Sequence, residues 1–396
     1  MFFINQGTGP LVEPTAFEDA EFERRLAGTR ALMAEQGLDA LICFAPENLY
    51  YLTGHDTPGY YWYQACVVTH DHLPVNVIRK LEATNTLGRS WSRMVVEYED
   101  VQDPVAATLW LLQDLGVAGK RIGYESETFF LTPNQYDRLR DGVANTGGTF
   151  VGTPALVETM RSVKSEPELA YIRRGGKILA KAMAAGFEVA GEGVTERAVA
   201  ARVNEVLIAE GSCYQGLPTF LGTGPRPALA HSTWSDRVMV KGDALAYEIS
   251  ASVERYTCAM FRMGVVGQPS DDYLRKMDAC KAALHAILTT ARDGVTAGEV
   301  FAAGNKAFLD AGFNDGLGRR LGYSVGISYP PDWGEGHIID LRRDSEKVLK
   351  KGMVFHTTPG LIYFGHEVIN ISQTMIITQT GTEVATGGFP LDAVVV

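Results

Sequence analysis

Apolar positions in the first part of the chain switch between helical and strand periods. Phe22, Leu26, Leu32 and Met33 fall on one face of Asp19–Gly37 when that stretch is wound as a helix. ALICF (Ala40–Phe44) is a short continuous apolar run and predicts a buried strand. Further strands are predicted at Ala65–His70, Val75–Arg79 and Arg121–Glu125, with helices near Val105–Leu115 and Pro133–Val143. This alternation is that of an α/β domain. The character changes near Ala155–Pro167. VKSEPELAYIRRGGKILAKAMAAGFEV has Ser165 at its head, Pro167 in its first turn and Glu168 beside it, and predicts a long helix that opens a second domain. Helices follow at Thr195–Glu210, Ser270–Arg292 and Ala297–Ala311. Strands rich in Val, Ile, Tyr and Thr follow at Ala244–Ile249, Tyr256–Met263, Met353–Phe355 and Thr374–Thr378. Helices grouped around antiparallel strands make the second part α+β, so the expected division is residues 1–160 and 161–396.

Composition narrows the class. A chain of 396 residues, 46% hydrophobic and 21% charged, can bury two cores of its own. A net charge of −11 argues against a nucleic-acid partner, which calls for clustered Lys and Arg. No apolar run is long enough to span a bilayer, and MFFINQGTGP lacks a basic segment followed by an apolar one, so neither a membrane partner nor a signal peptide is expected. Cysteines 43, 66, 213, 258 and 280 are dispersed with no CxxC pair, which suits reduced thiols and a cytoplasmic location.

Candidate chemistry concentrates in the second part. GDALAYEISASVERYTCAMFR (Gly242–Arg262) reads as a turn, an apolar run, a bend and a second run, that is, a hairpin. Glu248 lies in the middle of its first strand, where a charge is seldom buried without purpose; the alternatives are a reacting carboxylate and an ion-pair partner for Arg262 or Arg255. His231, shortly before the VKGD turn at Val240–Asp243, is a candidate acid–base group or a satisfied, partly buried histidine. His356 alternates with Thr358 and so shares its strand face.

MRSVKSEPELAYIRRGGKI, the ALAH segment with His231, the VKGD turn, GYSVGISYPPDW (Gly322–Trp333) and LKKGMVFHTTPGLIY (Leu349–Tyr363) stand in an order and spacing that resemble the pita-bread group: aminopeptidase P, prolidase, creatinase and their relatives. The resemblance spans nearly the whole chain. It implies a creatinase-like N-terminal α/β domain followed by a pita-bread α+β catalytic domain. The peptidases of the group hold two metals with two Asp, one His and two Glu. Carried over place by place, those positions are Glu248, Ala259, Tyr323, Thr358 and Ser372 here. One carboxylate among neutral groups lacks the charge that holds two divalent cations, so the resemblance implies no metal and no other cofactor. The proton-handling His that usually follows the metal His is replaced by Pro330 or Pro331, whereas His231 stands at the acid–base place of creatinase, which also works without metal.

Within the group, GYSVGISYPPDWGE, LRRDSEKVLKKGMVFHTTPGL, YEISASVERYTC and YYLTGHDTPGYYWYQACVV most resemble ectoine hydrolases, which open a cyclic amidine; Ala259 and the Ser372–Gln373 pair are departures. The implied reaction is metal-independent C–N hydrolysis of a small amidine-type molecule, with Glu248 attacking the amidinium carbon or activating water and His231 shuttling protons. Arg262 is a candidate anchor for a substrate carboxylate or a structural ion pair. Tyr323 hydrogen-bonds substrate or fills the vacated metal volume, and His356 is a candidate lining residue. Trp333, Glu335 and His337 follow a Pro-Pro turn and are expected at the mouth of the site or in a structural role. His55, Asp56, Tyr60 and Trp62 occupy the loop that, in pita-bread dimers, reaches the partner subunit's site, so a homodimer with shared sites is implied. A creatinase-like amidinohydrolase, a catalytically silent small-ligand-binding homologue and an Xaa-Pro hydrolase remain open beside the leading reading.

Overall fold

Continuous apolar runs suit strands covered on both faces, and ALIC and ACVVT are buried at every position. They belong to the first of two units, Met1–Arg161 and Ser162–Val396, in a computed structural model that describes residues 1–314, 319–363 and 365–396. In the first unit the elements run β1 (Ile4–Gln6), α1 (Asp19–Glu35), β2 (Ala40–Cys43), α2 (Pro46–Thr53), β3 (Ala65–Thr69), β4 (Val75–Arg79) and α3 (Lys80–Arg89). They continue with β5 (Met94–Tyr98), α4 (Pro104–Asp114), β6 (Arg121–Tyr124), α5 (Pro133–Asn145), β7 (Thr149–Gly152) and α6 (Leu156–Ser162). The strands form a mixed seven-stranded sheet in the order β1-β5-β4-β3-β2-β6-β7. The buried face of α1 is less apolar than its pattern predicts. Leu32 is half-buried, and the stripe of Phe22, Leu26 and Met33 also carries Thr29 and Arg25, whose guanidinium lies 4.2 Å from the Phe17 ring and 4.4 Å from the Tyr51 ring.

The second unit continues with α7 (Glu166–Val189), α8 (Glu196–Ala209), β8 (Phe220–Thr223), β9 (Ala244–Val253), β10 (Tyr256–Val265), α9 (Asp271–Thr290) and α10 (Ala297–Asp310). After these come β11 (Gly322–Ser324), β12 (Val354–Thr357), β13 (Gly360–Tyr363), β14 (Glu367–Asn370), β15 (Gln373–Ile377), β16 (Thr382–Val384) and β17 (Val394–Val395). Among the described residues these strands make two four-stranded sheets, β17-β10-β9-β8 and β11-β12-β15-β16, and the pair β13-β14. No helix among the described residues is long and apolar enough to cross a membrane.

The central device is the β9–β10 hairpin. Its register sets Glu248 opposite Phe261 and Ser250 opposite Ala259. Its two-residue turn places Glu254 at φ 45° and Arg255 at φ 62°, the left-handed pair that matches strand twist. Neither residue is glycine. Arg255 is held there by its side chain, which lies between the Tyr214 and Tyr329 rings at 3.9 and 4.2 Å and donates to the Tyr214 and Ser328 carbonyls. α7 lies close against the hairpin through Gly175, where an added Cβ would sit 3.1 Å from Cβ of Cys258. Glu168 joins the start of α7 to the same hairpin, accepting from the Ser165 N–H at 2.6 Å and from the Tyr256 hydroxyl at 2.6 Å.

Candidate active site

Alternation along paired strands divides the hairpin into two faces. Glu248, Phe261 and Ala259 share one face by register, and Arg262 projects from the other. Arg262 is fully buried, and its guanidinium donates to the carbonyls of Ser372 (2.6 Å), Pro390 (2.7 Å), Phe261 (2.8 Å) and Phe389 (3.1 Å). The expected substrate-carboxylate anchor at Arg262 is therefore corrected: this cation is consumed by backbone oxygens on the far side of the sheet. The ion pair weighed for Glu248 is absent with both arginines: Arg262 lies on the other face, and Arg255 sits in the turn, bonded to the Tyr214 and Ser328 carbonyls.

On the near face a cavity of about 490 Å³ is lined by His231, Glu248, Phe261, Arg319, Tyr323 and Thr358, among others. Burial in this wall pushes the Glu248 carboxyl from its ordinary value of 4.5 up to about 7, and the Arg319 guanidinium offsets part of that rise. No hydrogen bond or ion pair engages the Glu248 carboxylate among the described residues. A carboxyl that loses water and gains no donor titrates near neutrality, where it can both take and give a proton.

His231 reaches this cavity by way of an anchored loop. Glu196, fully buried, accepts from Thr223 N–H (2.8 Å), Ser235 N–H (2.9 Å), the Ser235 hydroxyl (2.5 Å) and Arg226 (3.2 Å), and so ties down both ends of the segment that carries His231. Ser232 adds bonds to the Arg226 and Leu229 carbonyls at 2.9 and 2.8 Å. Within this frame His231 adopts φ 59°, a conformation that costs a non-glycine residue free energy and recurs at functional positions. Its ring stacks on Phe220 with centroids 4.8 Å apart, and Phe220 is the cross-strand neighbour of Glu248. Phe220 thus carries the histidine beside the carboxylate, a role the sequence reading did not assign; its place in a β-strand run (PTFLGT) ahead of ALAH was the available signal.

The five places that the family resemblance assigns to metal ligands hold an unlike set here. The Ala259 methyl is buried against Phe220 and Trp333. The Thr358 hydroxyl pairs with the Asn370 amide at 2.8 Å. Ser372 Oγ accepts from the Phe261 N–H at 2.6 Å and meets His356 Nε2 at 2.6 Å. Tyr323 Oη accepts from Trp333 Nε1 at 2.8 Å and meets His356 Nδ1 at 3.0 Å, and burial pushes its phenol further up. Only Glu248 offers a negative oxygen, so the donors present do not fit a pair of divalent ions. Among the described residues no group of three His, Cys, Asp or Glu side chains is placed to hold a metal.

Other expected site residues lie elsewhere. His356 is fully buried behind Tyr323, and burial lowers its pKa to about 3, so it is a neutral part of the wall's support and not a lining group. The expectation that it shares a face with Thr358 is corrected: Thr358 lines the cavity, whereas His356 is sealed behind it. Trp333, 2% exposed, fills the space beside Ala259 and Phe220 instead of the mouth. Glu335, 1% exposed, is locked to the Lys164 ammonium at 2.9 Å, and His337 is exposed. In the first unit His55 is turned inward, bonded through Nδ1 to the Thr86 hydroxyl at 2.9 Å and held by burial at a pKa of about 4. Asp56 faces Arg89 at 3.7 Å, and Tyr60 packs edge-on against Phe130. Trp62 remains exposed beneath the Arg79 guanidinium. His55 is thereby corrected from a substrate contact to a core residue of its own unit.

Comparison with known proteins agrees with this architecture. Residues 170–379 match metallopeptidase family M24 and residues 25–163 match the creatinase/prolidase N-terminal domain. An ectoine hydrolase of Halomonas elongata is 30% identical over 387 residues, covering 93% of this chain and 95% of that protein. An uncharacterised hydrolase/peptidase of Sinorhizobium fredii is 31% identical over 381 residues, covering 93% of this chain and 95% of its own length. Among solved structures, dipeptidase PepE from Mycobacterium ulcerans superposes with a TM-score of 0.80 at 25% identity, covering 96% of this chain and 99% of that one. A prolidase from Thermococcus sibiricus reaches a TM-score of 0.84 at 20% identity, covering 95% of this chain and 99% of that one, and shares the fold.

Proposed function

We propose that this chain, which belongs to metallopeptidase family M24 and is a two-domain pita-bread hydrolase, cleaves a C–N bond in a small amidine-type compound without a metal, ectoine being the leading substrate. The observation that carries this reading is Glu248: a carboxylate in the cavity wall, free of protein partners among the described residues and poised near pH 7. A protonated amidine is already electrophilic at carbon, and its positive charge pairs with Glu248. Glu248 then either takes a proton from water as the oxygen adds to that carbon, or adds through its own oxygen and is released by water. In both routes one C–N bond breaks, the carbon keeps the oxygen as an amide, and the departing nitrogen leaves as an amine carrying a proton delivered by His231.

The test is incubation of the purified protein with ectoine after exhaustive chelation, with mass spectrometry for the ring-opened product. Product is expected with and without chelator, and activity abolished by chelation and restored by a divalent metal overturns the proposal. Creatine and an Xaa-Pro dipeptide serve as competing substrates in the same assay.

Two further parts complete the reading. The five free cysteines suit a reducing cytoplasm. The exposed Tyr61 and Trp62 suit a homodimer contact of the His55–Trp62 loop, for which a dimer mass by light scattering, reduced to a monomer by Trp62→Glu, is the expected result.

A further inference from the structure

Four side chains behind the cavity form an unbroken run of hydrogen bonds, and counting their protons fixes its direction. The run is Phe261 N–H to Ser372 Oγ (2.6 Å), Ser372 Oγ to His356 Nε2 (2.6 Å), His356 Nδ1 to Tyr323 Oη (3.0 Å), and Trp333 Nε1–H to Tyr323 Oη (2.8 Å). Two ends are set by chemistry, because a backbone N–H and an indole N–H only donate. Ser372 Oγ already accepts from Phe261, and the one acceptor within reach of its own proton among the described residues is His356 Nε2. A fully buried hydroxyl that fails to donate forfeits a hydrogen bond, so its proton goes to Nε2. His356 is neutral and carries one proton, which must then sit on Nδ1 and be donated to Tyr323. Tyr323 Oη thus accepts twice, from Trp333 and from His356. Its own proton is left without a protein acceptor among the described residues, on a side chain that lines the same cavity as Glu248 and His231.

We propose that Ser372, His356 and Trp333 act as positioning residues that turn Tyr323 into a fixed hydrogen-bond donor aimed into the cavity, where it binds the oxygen that arrives at the reacting carbon. Two of the places that ligate metal in the peptidases, Tyr323 and Ser372, are then linked by His356 into one relay that supplies a neutral donor. The opposite arrangement, with the proton on Nε2 and Tyr323 donating backwards to Nδ1, strands the Ser372 proton in the core and removes the donor from the cavity. As catalysis, the proposal rests on the hydrolytic reading above; as a hydrogen-bond direction it stands apart from any substrate.

The experiment has two arms. Nitrogen-15 NMR of the full-length protein without ligand, with the His356 signals assigned by their loss in a His356→Gln variant, is expected to report a bare Nε2 and a protonated Nδ1. The reverse tautomer overturns the relay whatever the substrate proves to be. In kinetics with ectoine, Tyr323→Phe is expected to lower kcat about 10²-fold with little change in KM, the scale of a lost transition-state donor. Ser372→Ala removes the proton that sets the tautomer and is expected to cost part of that loss, with the double variant no slower than Tyr323→Phe alone. Additive losses, or a Tyr323→Phe enzyme of normal kcat, overturn the catalytic role. Wild-type protein that leaves ectoine untouched while His356 shows the expected tautomer sinks the substrate reading and leaves the relay in place.

Discussion

Glu248 and Arg262 are ionisable groups on adjacent strands of one hairpin, on opposite faces, and the fold treats them in opposite ways. Arg262 is sealed from water and donates to four carbonyls. Glu248 borders a cavity and receives no donor among the described residues, although Glu196 in the same unit is surrounded by them. The difference separates a charge that serves the fold from one that serves chemistry. Hydrogen bonds stabilise the charged form of a buried group and hold it inert, whereas a desolvated group without them is left with a pKa near working pH.

The sharpest way to break this contrast is to remove each charge with the least change in shape. Glu248→Gln is expected to lower turnover of ectoine about 10³-fold or more while the far-ultraviolet circular dichroism and oligomeric state stay those of the parent. Near-normal turnover would move the chemistry onto His231 and erase the distinction. Arg262→Met should do the reverse. Four carbonyls, those of Phe261 and Ser372 in buried positions, lose their donor, so unfolding free energy is expected to fall by about 3 kcal/mol, with KM unchanged in whatever protein remains folded. A raised KM at normal stability would reinstate Arg262 as a substrate anchor.

These two residues also mark how far the sequence could be read. Strand pairing by period placed Glu248 in the hairpin, and the same period, counted across the turn, puts Arg262 on the other face; Phe261 is the residue opposite Glu248. Long periodic segments were legible for the same reason, and α7, α9 and α10 lie where their patterns and caps predict. Short or polar-flanked strands such as β5, β13 and β14 were not, because their identity comes from neighbours distant in sequence. At the site, the neutral side chains Ala259, Tyr323, Thr358 and Ser372 could be noted one by one. The network that connects two of them could not, since His356 joins Tyr323 to Ser372 only once β12 lies between β11 and β15. His55 misled for a related reason: its ring is turned into the core of its own unit and bonded to Thr86, a contact between residues 31 apart that the loop's own sequence does not announce.

A structural position with no chemistry calibrates the comparison. Gly176 on α7 faces the Ala385 carbonyl oxygen, which an added Cβ would approach to 1.9 Å. Backbone cannot swing aside as a side chain can, so Gly176→Ala is expected to cost about 3 kcal/mol in thermal or denaturant unfolding. kcat of the folded fraction should stay at the parent value, and a matching loss of kcat would tie α7 to the site.

The smallest expected effect is the most discriminating, because it reads Glu248 through stability and needs no substrate. Its carboxyl titrates at about 7 in the folded chain against an ordinary value of 4.5. Between those pH values the folded chain holds more of this proton than the unfolded chain does, so this group makes stability fall as pH rises across the window. Below about 4.5 both states are protonated and the penalty vanishes; above about 7 it is complete and constant. The buried neutral histidines, His55 and His356, work in the opposite sense, with stability lost as pH falls through their depressed values, but they are common to parent and variant and cancel in the difference. Glu248→Gln removes the charge at every pH and keeps the shape. The inactive variant is therefore expected to be more stable than its parent by about 2 kcal/mol at pH 8, a figure reduced for the carboxyl's partial contact with water, and equal to it near pH 4.5. Denaturant titrations of both proteins at the two pH values measure it. A difference independent of pH, or a variant less stable at pH 8, would mean that Glu248 has a partner in the fold and that the contrast with Arg262 is false.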